Sequence, residues 1–349
     1  MAQFHPLTVK HIKPLTPSSV AITFAVPKEL IQTFDFTPGQ YITVKKELKG
    51  KELRRAYSIC SSPKSDCFTI GVKKVDRGGF SDFANTKLSV GDVLEVMPPE
   101  GRFTFSPSEK QKNIAAFAAG SGITPIMSIV KTVLSSNSKN KFVLVYGNKS
   151  HKETMFYTEL AKLELDYPDR FFAYFITSQT QEDNSLFGRI DSSTVNYALK
   201  NKHKDTEFDA FYLCGPEGMI NLVSDMLQEN DIPKDKIHFE LFTTTEILDD
   251  MPVDAEGQTQ LKIILDDEEF SLTMDKKDRV LDAVLKENID APYSCQGGVC
   301  SSCIARVTEG KAEMVKNQIL TDGEIEEGFI LTCQALPITP SLTVDYDDV

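Results

Sequence analysis

Short β-rich runs, separated by Pro, Gly or Asp clusters, mark the first 105 positions. Val20–Val26, Gln40–Val44, Cys67–Lys73 and Val93–Met97 read as β-strands, and strands at this density predict a barrel or sandwich. Between 111 and 242 the pattern changes. Asn113–Ala119, Lys141–Tyr146, Phe171–Thr177 and Asp209–Cys214 are continuous apolar runs of the kind buried in a parallel sheet. Helical spacing over Thr124–Ser135 and Glu153–Leu165 falls between them, which predicts a doubly wound α/β domain. Residues 243–258 have too few apolar positions for a core and read as a flexible acidic linker. Residues 259–349 return to β-rich patterning, with one helix expected at Arg279–Asn288. The expected division is therefore 1–105, 106–242, a linker at 243–258, and 259–349.

Charge sharpens this division. The 349 residues carry a net charge of −13, which disfavours nucleic acid and anionic membranes as partners. The acidity is concentrated late: 259–349 hold 18 acidic and 8 basic residues, and 243–258 hold five acids and no base. The longest apolar stretch, around Ile114–Leu134, is interrupted by Gly120, Gly122 and Pro125, so no bilayer-spanning segment is expected. The N-terminus lacks the charged start and apolar stretch of a secretory signal. Seven cysteines, an odd number, argue against a disulfide framework. A soluble cytoplasmic protein without stable membrane association is the expectation.

Four of those cysteines carry chemistry. Cys295-Gln-Gly-Gly-Val-Cys300-Ser-Ser-Cys303 is followed by Cys333, and C-x4-C-x2-C with a distant fourth thiolate suits two irons bridged by two sulfides. The small residues Gly297, Gly298, Ser301 and Ser302 let backbone N–H groups approach sulfur. A zinc ribbon is the competing assignment, but it normally pairs two C-x2-C knuckles and only one is present.

Upstream, Arg54-Arg55-Ala56-Tyr57-Ser58 offers a cation, an aromatic ring and a hydroxyl on a strand, and Gly78-Gly79-Phe80-Ser81 opens a helix expected over Ser81–Asn85. A glycine turn into a helix start admits a pyrophosphate. Ala118-Ala-Gly120-Ser121-Gly122-Ile-Thr124-Pro125 leads a strand into a helix, again a diphosphate-binding arrangement. Cys214-Gly215-Pro216 ends the last long strand at the sheet's carboxyl edge, where such folds bind ligands. Each motif also has a bland reading: a surface strand, ordinary turns, and a buried thiol acting as a small hydrophobe.

Taken in order, and with Pro38-Gly-Gln40, Gly188-Arg-Ile-Asp191 and His238-Phe-Glu-Leu-Phe242, these residues resemble the ferredoxin–NADP⁺ reductase superfamily. Residues 259–349, with Asp290-Ala-Pro-Tyr-Ser294 and Leu331-Thr-Cys-Gln334, resemble a plant-type [2Fe–2S] ferredoxin. The fused chain is similar to the reductase components of ring-1,2-phenylacetyl-CoA epoxidases. That resemblance implies an antiparallel FAD-binding β-barrel, an α/β NAD(P)H domain and an α+β ferredoxin (β-grasp) domain. It places Arg55, Tyr57 and Ser58 at flavin and its phosphates, and Gly78, Gly79 and Ser81 at the FAD pyrophosphate. Gly120, Ser121, Gly122, Thr124 and Pro125 would shape the nucleotide pocket, with Cys214, Gly215 and Pro216 near the nicotinamide. Ser58 and Cys214 are the implied catalytic residues. Phe242 falls where relatives stack an aromatic ring on flavin, although here the chain continues past it. Cys295 and Cys300 would hold the outer iron, Cys303 and Cys333 the inner one.

The implied activity is hydride transfer from NAD(P)H to flavin, then single-electron transfer through the cluster to a protein acceptor, such as a di-iron oxygenase. Lys149, after Tyr146-Gly-Asn148, favours NADPH over NADH, whereas Thr177-Ser-Gln179 lacks the Ser-Arg pair of many NADP-specific relatives. Competing roles are a reductase for a hybrid-cluster protein, ring-hydroxylating dioxygenase or desaturase, and a non-enzymatic ferredoxin-type carrier or redox sensor.

Overall fold

The structure is a computed structural model that describes residues 3–75, 78–242 and 257–349. Its contacts divide the chain into two compact units, one of residues 5–53 with 57–242, the other of 243–349 with 1–4 and 54–56.

The larger unit begins with a six-stranded sheet. Its strands are β1 (His5–Thr16), β2 (Ser19–Ala25), β3 (Tyr41–Leu48), β4 (Lys51–Ser58), β5 (Phe68–Lys73) and β6 (Val93–Val96), in the order β4-β3-β6-β1-β2-β5. The pairs β1/β2, β1/β6, β2/β5 and β3/β6 are antiparallel. Just beyond β4, Ile59 bridges Ile70 of β5, and the Cys60 N–H donates to the Thr69 carbonyl at 2.8 Å. The two edge strands thus meet and the sheet closes into a barrel around Leu7, Val9, Ile22, Ile42, Val44 and Ile70. The strand pattern of the sequence misses β1, because only Leu7 and Val9 of its first half are buried and Lys10, His11, Lys13 and Pro14 interrupt the apolar positions beyond them. Helix α1 (Gly79–Thr86) starts two residues before the expected Ser81, which places Gly79 inside the first turn.

A parallel sheet follows in the same unit. It contains β7 (Asn113–Ala119), β8 (Lys141–Asn148), β9 (Phe171–Thr177), β10 (Leu186–Phe187), β11 (Ala210–Gly215) and β12 (Ile237–Leu241), ordered β10-β9-β8-β7-β11-β12. Interleaved are α2 (Ile123–Ser136), α3 (Tyr157–Asp166), α4 (Ser192–Asn196) and α5 (Glu217–Glu229). The apolar runs read from sequence are the central strands, buried on both faces. Helix α3 begins at Tyr157, not Glu153: Phe156 adopts φ 60°, which breaks helical continuity and leaves Glu153 in a separate 3₁₀ turn. Because β8 and β11 flank β7 on opposite sides, the strand order reverses there. The crevice of a doubly wound sheet opens at that point, beyond the carboxyl ends of β7 and β11.

The smaller unit contains β13 (Gln258–Leu265), β14 (Glu268–Asp275), α6 (Val280–Lys286), β15 (Ile304–Glu309), β16 (Ala312–Met314), α7 (Asp322–Glu326), β17 (Phe329–Leu331), β18 (Ala335–Pro337) and β19 (Ser341–Asp345). Its mixed sheet runs β14-β13-β19-β15-β17, with β13 and β19 parallel, and β16/β18 form a separate pair. Val280, Leu281 and Val284 of α6 pack onto Leu261, Ile263 and Val344 of the sheet. Most of the expected linker, 243–256, lies outside the described residues, and its last position, Gln258, already opens β13. Among the described residues no helix is long and apolar enough to cross a membrane.

Candidate functional site

Strand β4 sets the first group of side chains by simple alternation. Arg55 and Tyr57 share one face, while Ser58 turns inward and is 3 % exposed. The Tyr57 ring is half-buried and lies 5.5 Å from Phe80 at the start of α1. Arg55 is exposed and donates from Nη1 to the Arg54 carbonyl at 2.7 Å. At the other end of this surface, a Cβ on Gly78 would run into Ser81 Oγ and Val75, and one on Gly79 would come 2.7 Å from Leu53 Cδ1. The Ser81 hydroxyl is buried and accepts from the Val75 N–H at 3.2 Å, so it shapes the glycine turn as well as facing the helix start. The first-turn N–H groups of α1 have no intrahelical partners, and they suit an anionic diphosphate.

The second group gathers at the reversal of the parallel sheet. From β7 the chain enters a 3₁₀ turn, Gly120–Gly122, with Gly120 at φ 56°, and passes directly into α2. Thr124 Oγ1 donates to the Ser121 carbonyl at 3.0 Å, Pro125 occupies the first helical turn, and Tyr146 donates from its hydroxyl to the Gly120 carbonyl at 2.9 Å. A Cβ on Gly122 would overlap the Cys214 carbonyl. The glycine loop and the end of β11, two motifs 92 residues apart in the sequence, are therefore in backbone contact. Gly215 has the same kind of neighbour, since its Cβ would come 3.1 Å from that of Ala119. Pro216 caps α5. Phe242, in the bend after β12, is half-buried and packs against the core that includes Cys214, which gives it a packing role here.

A residue that the motifs do not single out completes this place. Glu240 on β12 is only 7 % exposed, and its Oε2 accepts from the Ser58 hydroxyl at 3.4 Å. Burial pushes its carboxyl up to about 8, with the Ser58 hydrogen bond acting the other way. Near neutral pH it is mainly a neutral acid, able to donate as well as accept. Cys214 is fully buried, and burial, with Glu240 adding to the effect, holds its thiol protonated. No local sequence signal singles out Glu240: only in the fold is the apolar Phe239 exposed while the neighbouring glutamate is buried, the reverse of ordinary strand patterning.

The smaller unit assembles the four cysteines. Cys300, Cys303 and Cys333 are buried and Cys295 is partly exposed. Cys295 lies within hydrogen-bonding reach of Cys300 and Cys333, and Cys333 within reach of Cys303. The Gly297 N–H donates to Cys295 Sγ at 3.3 Å. The hydroxyl of Ser294, a residue 1 % exposed, finds no partner among the described residues. A Cβ on Gly298, which has φ 71°, would come within 2.9 Å of Gln334 Cγ. Among the described residues no three His, Cys, Asp or Glu side chains converge as ligands of one metal ion. A two-iron cluster divides four thiolates between two metals, and the donor set, the glycine cradle and the buried unpartnered hydroxyl fit such a group.

A closed barrel with a glycine-turn helix start, a crevice at a parallel-sheet reversal and four thiolates from one loop and a later turn define a flavin-, nicotinamide- and iron–sulfur-dependent oxidoreductase. Residues 6–105 match the oxidoreductase FAD-binding domain, 117–225 the oxidoreductase NAD-binding domain, and 263–337 the 2Fe-2S iron-sulfur cluster binding domain. The chain is 37 % identical over 360 residues to a subunit of the 1,2-phenylacetyl-CoA epoxidase of Escherichia coli K12, covering 99 % of each. It is 33 % identical over 350 residues to the 3-ketosteroid-9-alpha-monooxygenase ferredoxin reductase component of Rhodococcus rhodochrous, covering 97 % of this chain and 96 % of that one. It belongs to the family of these reductase components. The fold is shared with phthalate dioxygenase reductase at TM-score 0.61 and 22 % identity, over 98 % of both chains. It is also shared with a type IV self-sufficient cytochrome P450 monooxygenase at TM-score 0.71 and 24 % identity, where it covers 98 % of this chain and 41 % of that larger one.

Proposed function

We propose that this chain is the reductase component of a multicomponent oxygenase, delivering electrons from NAD(P)H to a di-iron epoxidase acting on phenylacetyl-CoA. The identity to the phenylacetyl-CoA epoxidase component, spread over 99 % of both chains, carries this reading of the acceptor. The bound groups supply hydride acceptance and the conversion of an electron pair into single electrons. The residues do the rest. Arg55, Tyr57 and Ser58 hold the flavin, and the Gly78-Gly79 turn with Ser81 takes its pyrophosphate. The Gly120–Gly122 turn with Thr124 and Pro125 seats the donor's diphosphate against the α2 N-terminus. Cys214, Gly215 and Pro216 form the wall at the nicotinamide, and Ser58 and Glu240 provide neutral hydrogen-bonding groups in a water-poor setting. Cys295, Cys300, Cys303 and Cys333 ligate the cluster. These reduced thiolates suit the cytoplasm, where we place the protein.

NADPH is the proposed donor. Lys149 is exposed at the end of β8, and its carbonyl accepts from the Gln179 N–H at 2.9 Å, so it stands at the rim where a ribose 2′-phosphate would arrive. Comparing kcat/KM for NADPH and NADH with ferricyanide tests this, and a preference for NADH refutes it. The acceptor is tested by combining the purified reductase with the cognate oxygenase components, NADPH and phenylacetyl-CoA. Epoxide formation is expected; ferricyanide reduction without product would exclude this acceptor.

A further inference from the structure

Gln334 follows the last cysteine, and nothing in the sequence motifs gives it a task. Its side chain is buried, at 4 % exposure. From one nitrogen, Nε2, it donates to the Cys333 carbonyl at 2.8 Å and to the Gln296 carbonyl at 3.1 Å, with Cys333 Sγ at 3.8 Å. The amide therefore joins the two segments that carry the thiolates: the 295–303 loop and the turn between β17 and β18 that holds Cys333. Its main chain is fixed as well, because the Gln334 N–H donates to Leu331 and its carbonyl accepts from Val315, at 2.8 and 2.9 Å.

Two features of the loop match this arrangement. Gln296 is the one non-glycine residue between 295 and 303 with positive φ, 54°, a conformation that L-residues adopt only when held. The group holding it is the Gln334 amide, which captures its carbonyl. Gly298 lies against the stem of Gln334, with Gln334 Cγ 2.9 Å from where a Cβ would be. Any larger residue there would push the latch and the loop apart.

We propose that Gln334 is a positioning residue for the iron–sulfur site: it fixes the separation between the Cys295–Cys303 loop and Cys333, and the Cys333 sulfur shares an N–H of the amide with one of the carbonyls it bonds. An amide hydrogen near a thiolate stabilises added negative charge, so it favours the reduced cluster. A loop held at fixed spacing retains its metals longer than one free to breathe.

The inference rests on the four-thiolate assignment above, and the two fail differently. If that assignment were wrong, the wild-type protein would show no cluster absorbance; if only the latch were wrong, the wild type would be normal and the variants indistinguishable from it.

The test uses the full-length holoprotein with Gln334→Met, which keeps the bulk and removes the donors, and Gln334→Glu, which keeps the shape and places an acceptor against two carbonyls. Cluster midpoint potential and iron release to a chelator are the readouts, with donor-driven flavin bleaching as an internal control. Both variants should bleach flavin at the wild-type rate. Gln334→Met should shift the reduction equilibrium about tenfold toward the oxidised cluster, or ~59 mV for one electron, and release iron roughly tenfold faster. Gln334→Glu should exceed it on both counts. If Gln334→Met takes up no cluster yet its apoprotein melts as the wild-type apoprotein does, the latch is supported. A lowered apoprotein melting point makes Gln334 a packing residue and overturns the proposal. So does a cluster whose potential and iron release both match the wild type.

Discussion

Replacing Glu240 by glutamine tests the most unusual electrostatic feature of the larger unit. The carboxyl is buried, has Ser58 as its hydrogen-bond partner, and is pushed from 4.5 to about 8. In that interval the folded protein keeps a proton that the unfolded chain has released. Stability from this group is therefore complete below about pH 4.5, declines as pH rises, and is lost by about pH 8. At ~1.4 kcal/mol per pH unit the loss across the interval is roughly 5 kcal/mol. Glutamine has the same shape, still accepts from Ser58, and does not titrate. For a unit of this size ~1 kcal/mol corresponds to about 2–4 °C in melting temperature. The flavin-release temperature of the holoprotein, followed from pH 5 to 8.5, a range that holds ~4 kcal/mol of this loss, should fall relative to the variant by about 8–16 °C in wild type. The turnover profile should lose a limb near 8 in the variant. Parallel melting curves for the two proteins would refute the claim that Glu240 is held protonated by burial.

Cys333→Ser should abolish the cluster's visible absorbance and the reduction of any one-electron protein acceptor, while donor-driven flavin bleaching stays within about twofold of wild type; anaerobic stopped-flow spectra check both. Gly122→Ala would drive a Cβ into the Cys214 carbonyl, and the necessary backbone shift should cost about 1–3 kcal/mol and raise the donor KM about tenfold or more. Its melting temperature and ferricyanide kinetics report this, and an unchanged KM would contradict the contact. Because 18 acids against 8 bases crowd residues 259–349, reduction of the cognate acceptor should slow several-fold from low to physiological salt. Rates independent of ionic strength would exclude electrostatic steering by that unit.

The parts legible in the sequence are those where chemistry or sterics acts locally. Cysteine spacing, the glycine turns and the apolar runs of β7, β8, β9 and β11 each encode their outcome within a few residues. What stays hidden depends on distant partners. Glu240 meets Ser58 across 182 residues, and no local pattern reports that a glutamate is buried by such a meeting. Strand β1 is obscured because its polar positions face solvent in a half-buried barrel strand. The start of α3 is displaced from its expected place because Phe156 takes a left-handed conformation, with its ring buried. Gln334 looks like any polar residue after a cysteine until the fold brings the Gln296 carbonyl to it.

The contact between Gly122 and the Cys214 carbonyl has a bearing on how this protein can change. Where two main chains touch, the floor of the crevice has no side chain to exchange, and almost any substitution there alters the backbone path. Any change that keeps the main-chain path is therefore confined to neighbouring positions that carry side chains. At Gly122 and Cys214 the main chain itself is the surface, and substitution can reshape only what surrounds it.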